Sequence, residues 1–229
     1  VMILAAHVSR AHTLTEWMDA SILDEANPDS KDPGLDLYDP ANPNQPPYSE
    51  EFLNRYRAAQ IARNRKITAW VKDKLQYLKD SDRPNDEFGF VVHGTMADPR
   101  WLDPSVDPND RQENWCYLGD PKVVNNGPVG LARFCTLRSW LSQWSYDDSN
   151  ADGQACAAKI SVPILVIGNT ADDACTPSHT HRLYNAIAHD DKELYEVEGA
   201  THYYFGQPDK LDDAISRCDA WLQKKGFAD

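Results

Sequence analysis

The segment 160–202 restricts the possible folds of this chain more than any other. Residues 164–167 are a short apolar run rich in β-branched side chains, preceded by Pro163, and such a run is typical of a strand buried on both faces. Asp172 and Asp173 follow the run, at the strand end where open α/β sheets bind their ligands. The sequence therefore predicts an α/β fold with a parallel sheet and an acidic group at its carboxyl edge.

A helix and a second strand are predicted after the acidic pair. Thr176 is a typical N-cap and Pro177 a typical first helical residue, and an apolar face follows at Leu183. Residues 194–197 are predicted as the second strand, and His202 lies on the loop after it. Because parallel strands end at the same edge of a sheet, we expect a carboxylate and an imidazole to meet there.

The order strand, acid, helix, strand, histidine resembles the C-terminal quarter of the α/β-hydrolase fold, whose chain order is nucleophile, acid, histidine. In that family the acid commonly lies nine residues after the proline that opens its strand, which from Pro163 gives Asp172. A second habit of the family places the acid four residues before a proline, which from Pro177 gives Asp173. We prefer Asp172, because a loop absorbs an extra residue more easily than a strand does.

The resemblance covers residues 160–225 and, more weakly, residues 1–10. It implies that Asp172 and His202 are the catalytic acid and base of a serine hydrolase, with no organic cofactor and no metal. The bond cleaved is expected to be a carboxylic ester in a bulky or apolar small molecule. The alternative is a non-catalytic binding protein with a hydrolase-like fold.

A nucleophile of that family is missing from the sequence. None of the 11 glycines begins the pattern Gly-x-Ser-x-Gly, which the family needs for its strained strand-to-helix turn. Cys175 lies near the acidic pair and is interpreted as a packed thiol. We expect an N-terminal segment of the same precursor, of about 100–150 residues, to carry the nucleophile and complete the sheet. A degenerate relative without catalysis remains the other interpretation.

Three regions are predicted along the chain. Residues 1–10 are a core strand of the hydrolase sheet, residues 11–158 a mostly helical lid or cap insertion, and residues 159–229 the part of the core that carries the acid and the histidine. The last helix is expected from Asp209 to Lys225, because its apolar residues recur on one side.

Within the insertion, the pattern predicts three helices. The longest runs from Ser49 to Lys79, with Ser49 as N-cap, and we expect a bend or break in it because unbroken it would reach about 45 Å. Helix-like pieces are also expected at 15–25, and an amphipathic helix at 131–144. Five basic residues in the middle of the long helix are interpreted as pairing with acidic neighbours or facing solvent, the alternative being contact with an acidic substrate: Arg55, Arg57, Arg63, Arg65 and Lys66.

Composition excludes several function classes. The net charge of −13 disfavours nucleic acids and anionic membranes, because phosphate binding needs a basic face. No apolar run approaches the roughly 20 residues of a membrane span. The five cysteines contain no Cys-x-x-Cys pair, which argues against a zinc or thioredoxin-like site. Disulfides are possible but not implied, so the compartment is left open, with a reducing cytosol slightly favoured. Asp103, Asp107 and Asp110 lack the spacing of a calcium loop.

Overall fold

The structure is a computed structural model that describes residues 1–228. In chain order its elements are β1 (Met2–Leu4), α1 (Arg10–Trp17), α2 (Glu50–Asp80), β2 (Gly89–Val91), a 3-10 turn (Pro99–Trp101), α3 (Pro121–Asn126), β3 (Phe134–Thr136), α4 (Leu137–Ser139), a π-helical turn (Trp140–Trp144), α5 (Gly153–Ala157), β4 (Ile164–Asn169), α6 (Pro177–Ala186), β5 (Lys192–Val197) and α7 (Pro208–Lys224). They form two compact units. The first unit contains residues 1–9, 106–117 and the described chain from Asp152 onward, and the second contains Arg10–Ser105 and Leu118–Ala151.

The first unit is built on a parallel sheet of strand order β1-β4-β5. All six residues of the central strand β4 are buried. Ile164 and Val166 pack on one face with Ala157 of α5, while Leu165 and Ile167 pack on the other with α7. Since side chains alternate between the faces of a strand, the apolar run is continuous because both faces are covered. The predicted fold class, α/β with a parallel sheet, is confirmed.

Helix α7 also agrees with its prediction, within one residue at each end. Its Ala214 and Trp221 are buried against β4 and β5, whereas Leu211 and Ile215 of the predicted stripe are partly exposed. The helix therefore contacts the sheet through a narrower stripe than the sequence pattern indicates.

The second unit is mostly helical. Its long helix α2 begins after Ser49, whose hydroxyl accepts the backbone N–H of Phe52 at 3.2 Å, as predicted. The helix runs unbroken for 31 residues, so the expected break is wrong. Its apolar side, which includes Ile67 and Val71, packs on α1 and on the segment around Trp140. These tertiary contacts stabilise the long helix.

The basic cluster on α2 pairs with acidic neighbours, as one of the two sequence interpretations states. Arg57 contacts Asp98 at 2.8 Å, and Arg65 contacts Asp147 at 2.8 Å. Arg63 forms two bonds to Glu25, the shorter at 2.6 Å. These carboxylates leave little of the cluster's charge for an acidic substrate.

Two helix predictions in the second unit are wrong. Residues 131–144 contain strand β3, which pairs antiparallel with β2, followed by short helical turns. Cys135 and Leu137 are both buried, and this two-residue spacing is that of one strand face, since residues two apart lie on different faces of a helix. The helix predicted at 15–25 occupies Arg10–Trp17 instead. It ends before Asp19, whose carboxylate accepts the N–H and hydroxyl of Ser21 and so favours a turn.

Two general properties bear on function. Among the described residues, no helix is long and apolar enough to cross a membrane. Within residues 1–228 none of the five cysteines forms a disulfide bond, and Cys156 is the exposed one.

Candidate active site

Asp172 occupies the turn directly after β4 and is fully buried. Its Oδ1 accepts the backbone N–H groups of Ala174 at 2.8 Å and Cys175 at 2.7 Å. The side chain of Asn109 donates to the carbonyl of Asp172 at 2.8 Å. Backbone donors stabilise a carboxylate in its charged form and fix its orientation, so this turn holds a buried anion in one position.

His202 lies on the loop after β5, and Gln207 fastens that loop. The side chain of Gln207 accepts the N–H of Thr201 at 2.9 Å and donates to the carbonyl of Gly199 at 2.8 Å. Gly199 has φ +67°, a conformation that glycine adopts without strain. Asn169, at the end of β4, donates to the carbonyl of Thr201 at 3.0 Å. The imidazole is therefore carried by a loop that is bonded to the neighbouring strand.

The structure brings Asp172 and His202 together. Nδ1 of His202 lies 3.0 Å from Oδ2 and 3.1 Å from Oδ1 of Asp172. An ionised carboxylate can only accept, so Nδ1 carries the proton and Nε2 is the basic nitrogen. The ring is part-buried, with 15% of the side chain exposed. This is the tautomer that a general base needs, although the catalytic role itself remains a prediction.

Electrostatics around the pair favour a protonated imidazole. Burial lowers the pKa of His202, but the hydrogen bond and charge of Asp172, with the charge of Asp173, outweigh it and raise that pKa above its ordinary value. Burial, followed by the charge of Asp172, raises the pKa of Asp173 to about 6. The two acids therefore differ: Asp172 contacts the imidazole, while Asp173 adds negative charge nearby.

Aromatic rings surround His202. Tyr203 contacts it edge-on with ring centroids 4.5 Å apart, and Tyr117 does so at 5.9 Å. Phe205, which is 80% exposed, continues the series 5.6 Å from Tyr203. The histidine thus lies beside an apolar surface that reaches solvent.

The segment 106–117 supports the same turn, although no sequence signal assigns it there. Asp110 accepts the hydroxyl of Thr170 at 2.6 Å. Asp107 accepts the hydroxyls of Thr176, by a very short bond, and of Ser178, at 2.7 Å. Two acidic residues of a loop considered above for calcium therefore bond to the turn after β4 and to the start of α6. Such contacts span some 60 to 70 residues of chain, and periodicity cannot reveal them.

Cys175 is placed differently from a simple packed thiol. Its Sγ lies 3.2 Å from Nδ1 of His7, which follows β1. Ligand atoms of Asp172, Cys175 and His202 all lie within 4.8 Å of one another. Within residues 1–228 these three side chains are therefore close enough together to share a metal ion.

A cavity of about 450 Å³ lies in the second unit. Its walls are mainly apolar, with Ile67, Trp70 and Phe90 as the large side chains, and Lys66, Glu25 and His93 supply polar groups. Neither Asp172 nor His202 lines it. The cavity and the candidate catalytic residues therefore lie at different places in the chain.

No protein-family model and no curated protein matches this chain. Similar solved structures include the Paleococcus ferrophilus monoacylglycerol lipase, at 18% identity and TM-score 0.36, over 68% of this chain and 51% of the lipase. BpoC of Mycobacterium tuberculosis, named as a non-heme bromoperoxidase, is 21% identical at TM-score 0.27, over 40% of this chain and 33% of its own. Rv0554 of the same organism is 22% identical at TM-score 0.26, over 37% of this chain and 29% of its own. This chain thus spans at most about half of each, and the function below is argued from the site.

Proposed function

We propose that this chain supplies the acid and the base of a serine hydrolase of the α/β-hydrolase type, which cleaves a carboxylic ester. The observation that carries the proposal is the bond between Nδ1 of His202 and the buried carboxylate of Asp172. The two residues follow adjacent parallel strands, β5 and β4, at the edge where such sheets bind ligands. No organic cofactor or metal takes part in this reaction.

In the proposed mechanism, Nε2 of His202 accepts the hydroxyl proton of a serine as its oxygen attacks the ester carbonyl. The resulting imidazolium is stabilised by Asp172, which stays ionised. His202 then gives the proton to the departing alcohol and leaves an acyl-serine. Water, deprotonated by the same nitrogen, releases the acid and regenerates the serine. Backbone amides outside this chain hold the oxyanion.

The serine is proposed to come from an N-terminal segment of the same precursor. Strand β1 is an edge strand that pairs with β4 alone, and its Met2 and Leu4 are 39% and 45% exposed. An exposed apolar strand edge pairs readily with a further strand. A parallel strand added beside β1 would extend the sheet and could end in the nucleophile turn.

The aromatic surface beside His202 supports a bulky or apolar ester. Tyr117, Tyr203 and Phe205 offer rings beside the base, and apolar rings line most small-molecule sites. The lid or cap role predicted for residues 11–158 is part of the proposal. Phe205→Ala tests the surface, because it should slow an ester with a large aromatic group and leave an acetyl ester almost unchanged.

The proposal is tested by labelling the native protein with a fluorophosphonate, which modifies activated serines. We expect labelling of a serine on polypeptide outside residues 1–229, in a Gly-x-Ser-x-Gly sequence, located by peptide mass spectrometry. His202→Gln should abolish labelling, since the serine loses its base. The control is His181→Gln, because His181 is an exposed histidine on α6 that pairs with Glu196.

Each other outcome contradicts a definite part of the proposal. Absence of labelling in the native protein would favour the non-catalytic binding protein. Labelling of a serine inside this chain would retain the hydrolase and reject the external nucleophile. Equal labelling of both histidine variants would reject His202 as the base.

A further inference from the structure

The mechanism above leaves two reactive side chains beside its catalytic pair without a role. Sγ of Cys175 is 3.2 Å from Nδ1 of His7, although 168 positions separate them in the sequence. Cys175 is 1% exposed, and it directly continues the turn that fixes Asp172. A thiol, two imidazoles and a carboxylate thus converge in the first unit.

Zinc accepts all three of these ligand types: cysteine sulfur, histidine nitrogen and carboxylate oxygen. Zn²⁺ binds cysteine sulfur at about 2.3 Å and histidine nitrogen at about 2.0 Å in tetrahedral geometry, which places neighbouring ligand atoms roughly 3.5 Å apart. The atoms of Asp172, Cys175 and His202 already lie within 4.8 Å of one another. Side-chain rotations that shift these atoms by about 1 Å would bring them to that spacing.

We propose that Asp172, Cys175 and His202 bind a zinc-type divalent cation, with His7 as the fourth ligand. Nδ1 of His7 lies 3.2 Å from Sγ of Cys175, close to the spacing of two ligand atoms in a tetrahedral site. On binding, the thiol of Cys175 loses its proton to solvent, and His202 binds as a neutral imidazole through a nitrogen that carries no proton. Thiolate and carboxylate then balance the two charges of the ion.

Two features of the surroundings favour a cation over a reactive cysteine. Asp173 adds a further acidic group beside the ligands, and the chain as a whole carries a net charge of −13. A nucleophilic thiol must also face its substrate, whereas Cys175 is almost fully buried. An ion is small enough to enter past the exposed edge of His202.

One consequence rests on the proposed function. A bound ion would occupy His202 and engage Asp172, so the general base would no longer be available. Zinc would therefore inhibit the hydrolase reversibly, and a chelator would restore it.

The experiment titrates the reduced, metal-free chain with Co²⁺, which takes the zinc geometry and is coloured. We expect one equivalent to give the visible bands of a tetrahedral site and a near-ultraviolet thiolate-to-metal band, both removed by added Zn²⁺. Cys175→Ser should abolish the near-ultraviolet band and weaken binding by on the order of 100-fold. His7→Gln should weaken binding while the near-ultraviolet band remains.

The matched control is Cys156→Ser, since Cys156 is an exposed cysteine on α5; it should leave both bands unchanged. Far-ultraviolet circular dichroism checks the fold of each variant, and a Zn²⁺-induced rise of Tm in the wild type provides a second readout. Octahedral, weakly coloured Co²⁺ or a band that survives Cys175→Ser would overturn the site. Because this readout needs no activity, its failure is distinct from a failure of fluorophosphonate labelling.

Discussion

Asp98 in the second unit and Asp172 in the first are both fully buried carboxylates, yet their partners differ. Asp98 contacts two arginines, Arg57 at 2.8 Å and Arg100 at 2.9 Å. Asp172 contacts an imidazole, that of His202. Guanidinium groups keep their charge at any physiological pH, whereas an imidazole gains and loses a proton near neutrality.

The comparison shows that burial of an acid does not by itself indicate function. Burial would raise the pKa of Asp98, but the charges of Arg100 and Arg57 lower it below its ordinary value. This arrangement holds the turn at Pro99–Trp101, since Asp98 also accepts the N–H of Arg100 at 3.0 Å. At Asp172 the neighbouring group can exchange protons with a substrate. The identity of the partner separates a structural site from a candidate catalytic one.

The largest effect is expected for Asp172→Asn. An asparagine cannot stabilise the imidazolium and favours the wrong tautomer of His202, so the fluorophosphonate labelling rate should fall on the order of 10³–10⁴-fold. The downfield proton resonance of the shared Nδ1–H should also vanish from the NMR spectrum. Asp173→Asn is the matched control, and equal losses in both variants would mean that neither acid orients the histidine.

Asp98→Asn should instead reduce stability and leave the Nδ1–H resonance of His202 intact. Removing one member of a buried ion pair costs about 3–5 kcal/mol, because the arginines lose their counter-charge. The stability that ionised Asp98 contributes is present above its unfolded pKa and is lost as the pH falls through its lowered folded pKa. The free energies of unfolding of wild type and variant should therefore become equal in acid. Urea unfolding at several pH values measures this.

Arg65→Ala removes an exposed charge pair and should lower the free energy of unfolding by less than about 1 kcal/mol. Arg65 and Asp147 are both half exposed. If Arg65→Ala lowered stability as much as Asp98→Asn does, burial would not explain why the two ion pairs differ.

Asp173→Asn should have the opposite pH dependence. The folded pKa of Asp173 is raised from 3.8 to about 6. The contribution of its protonated carboxyl group to folding stability is therefore present below pH 3.8 and is lost as the pH rises through about 6. The variant escapes this loss and should be more stable than wild type by up to about 3 kcal/mol at pH 8. Unfolding in a chelating buffer at pH 4 and pH 8 measures the crossover; a constant difference would contradict it.

The smallest effect is expected for Gln207→Ala, which tests the support of the histidine loop. The variant loses the hydrogen bonds to Thr201 and Gly199, which together contribute about 1–2 kcal/mol to folding stability. A positioning role predicts a labelling rate reduced about tenfold and a broadened Nδ1–H resonance. Gln223→Ala is the control, since Gln223 bonds to Asp219 on the exposed side of α7.

Prediction from sequence succeeded where a local pattern reflected burial on a regular element. Strand β4 was predicted because every residue of it is buried, and α7 because its apolar residues recur at helical spacing. The helix predicted at 131–144 was wrong because strand β3 is only three residues long, and its pairing with β2 leaves little signal in the local pattern. Gln207, Asn109 and Tyr117 were missed because their contacts with the site depend on loops that periodicity does not describe.

The sequence alone determined that a buried parallel strand ends in two acids and that a histidine follows the next strand, since both signals arise from neighbouring residues. Only the tertiary structure decided that Asp172 rather than Asp173 contacts His202, and that Cys175 meets His7. The reason is that a turn can direct either of two adjacent carboxylates toward the ring. Which one points there depends on the backbone donors of Ala174 and Cys175 and on loops distant in the chain.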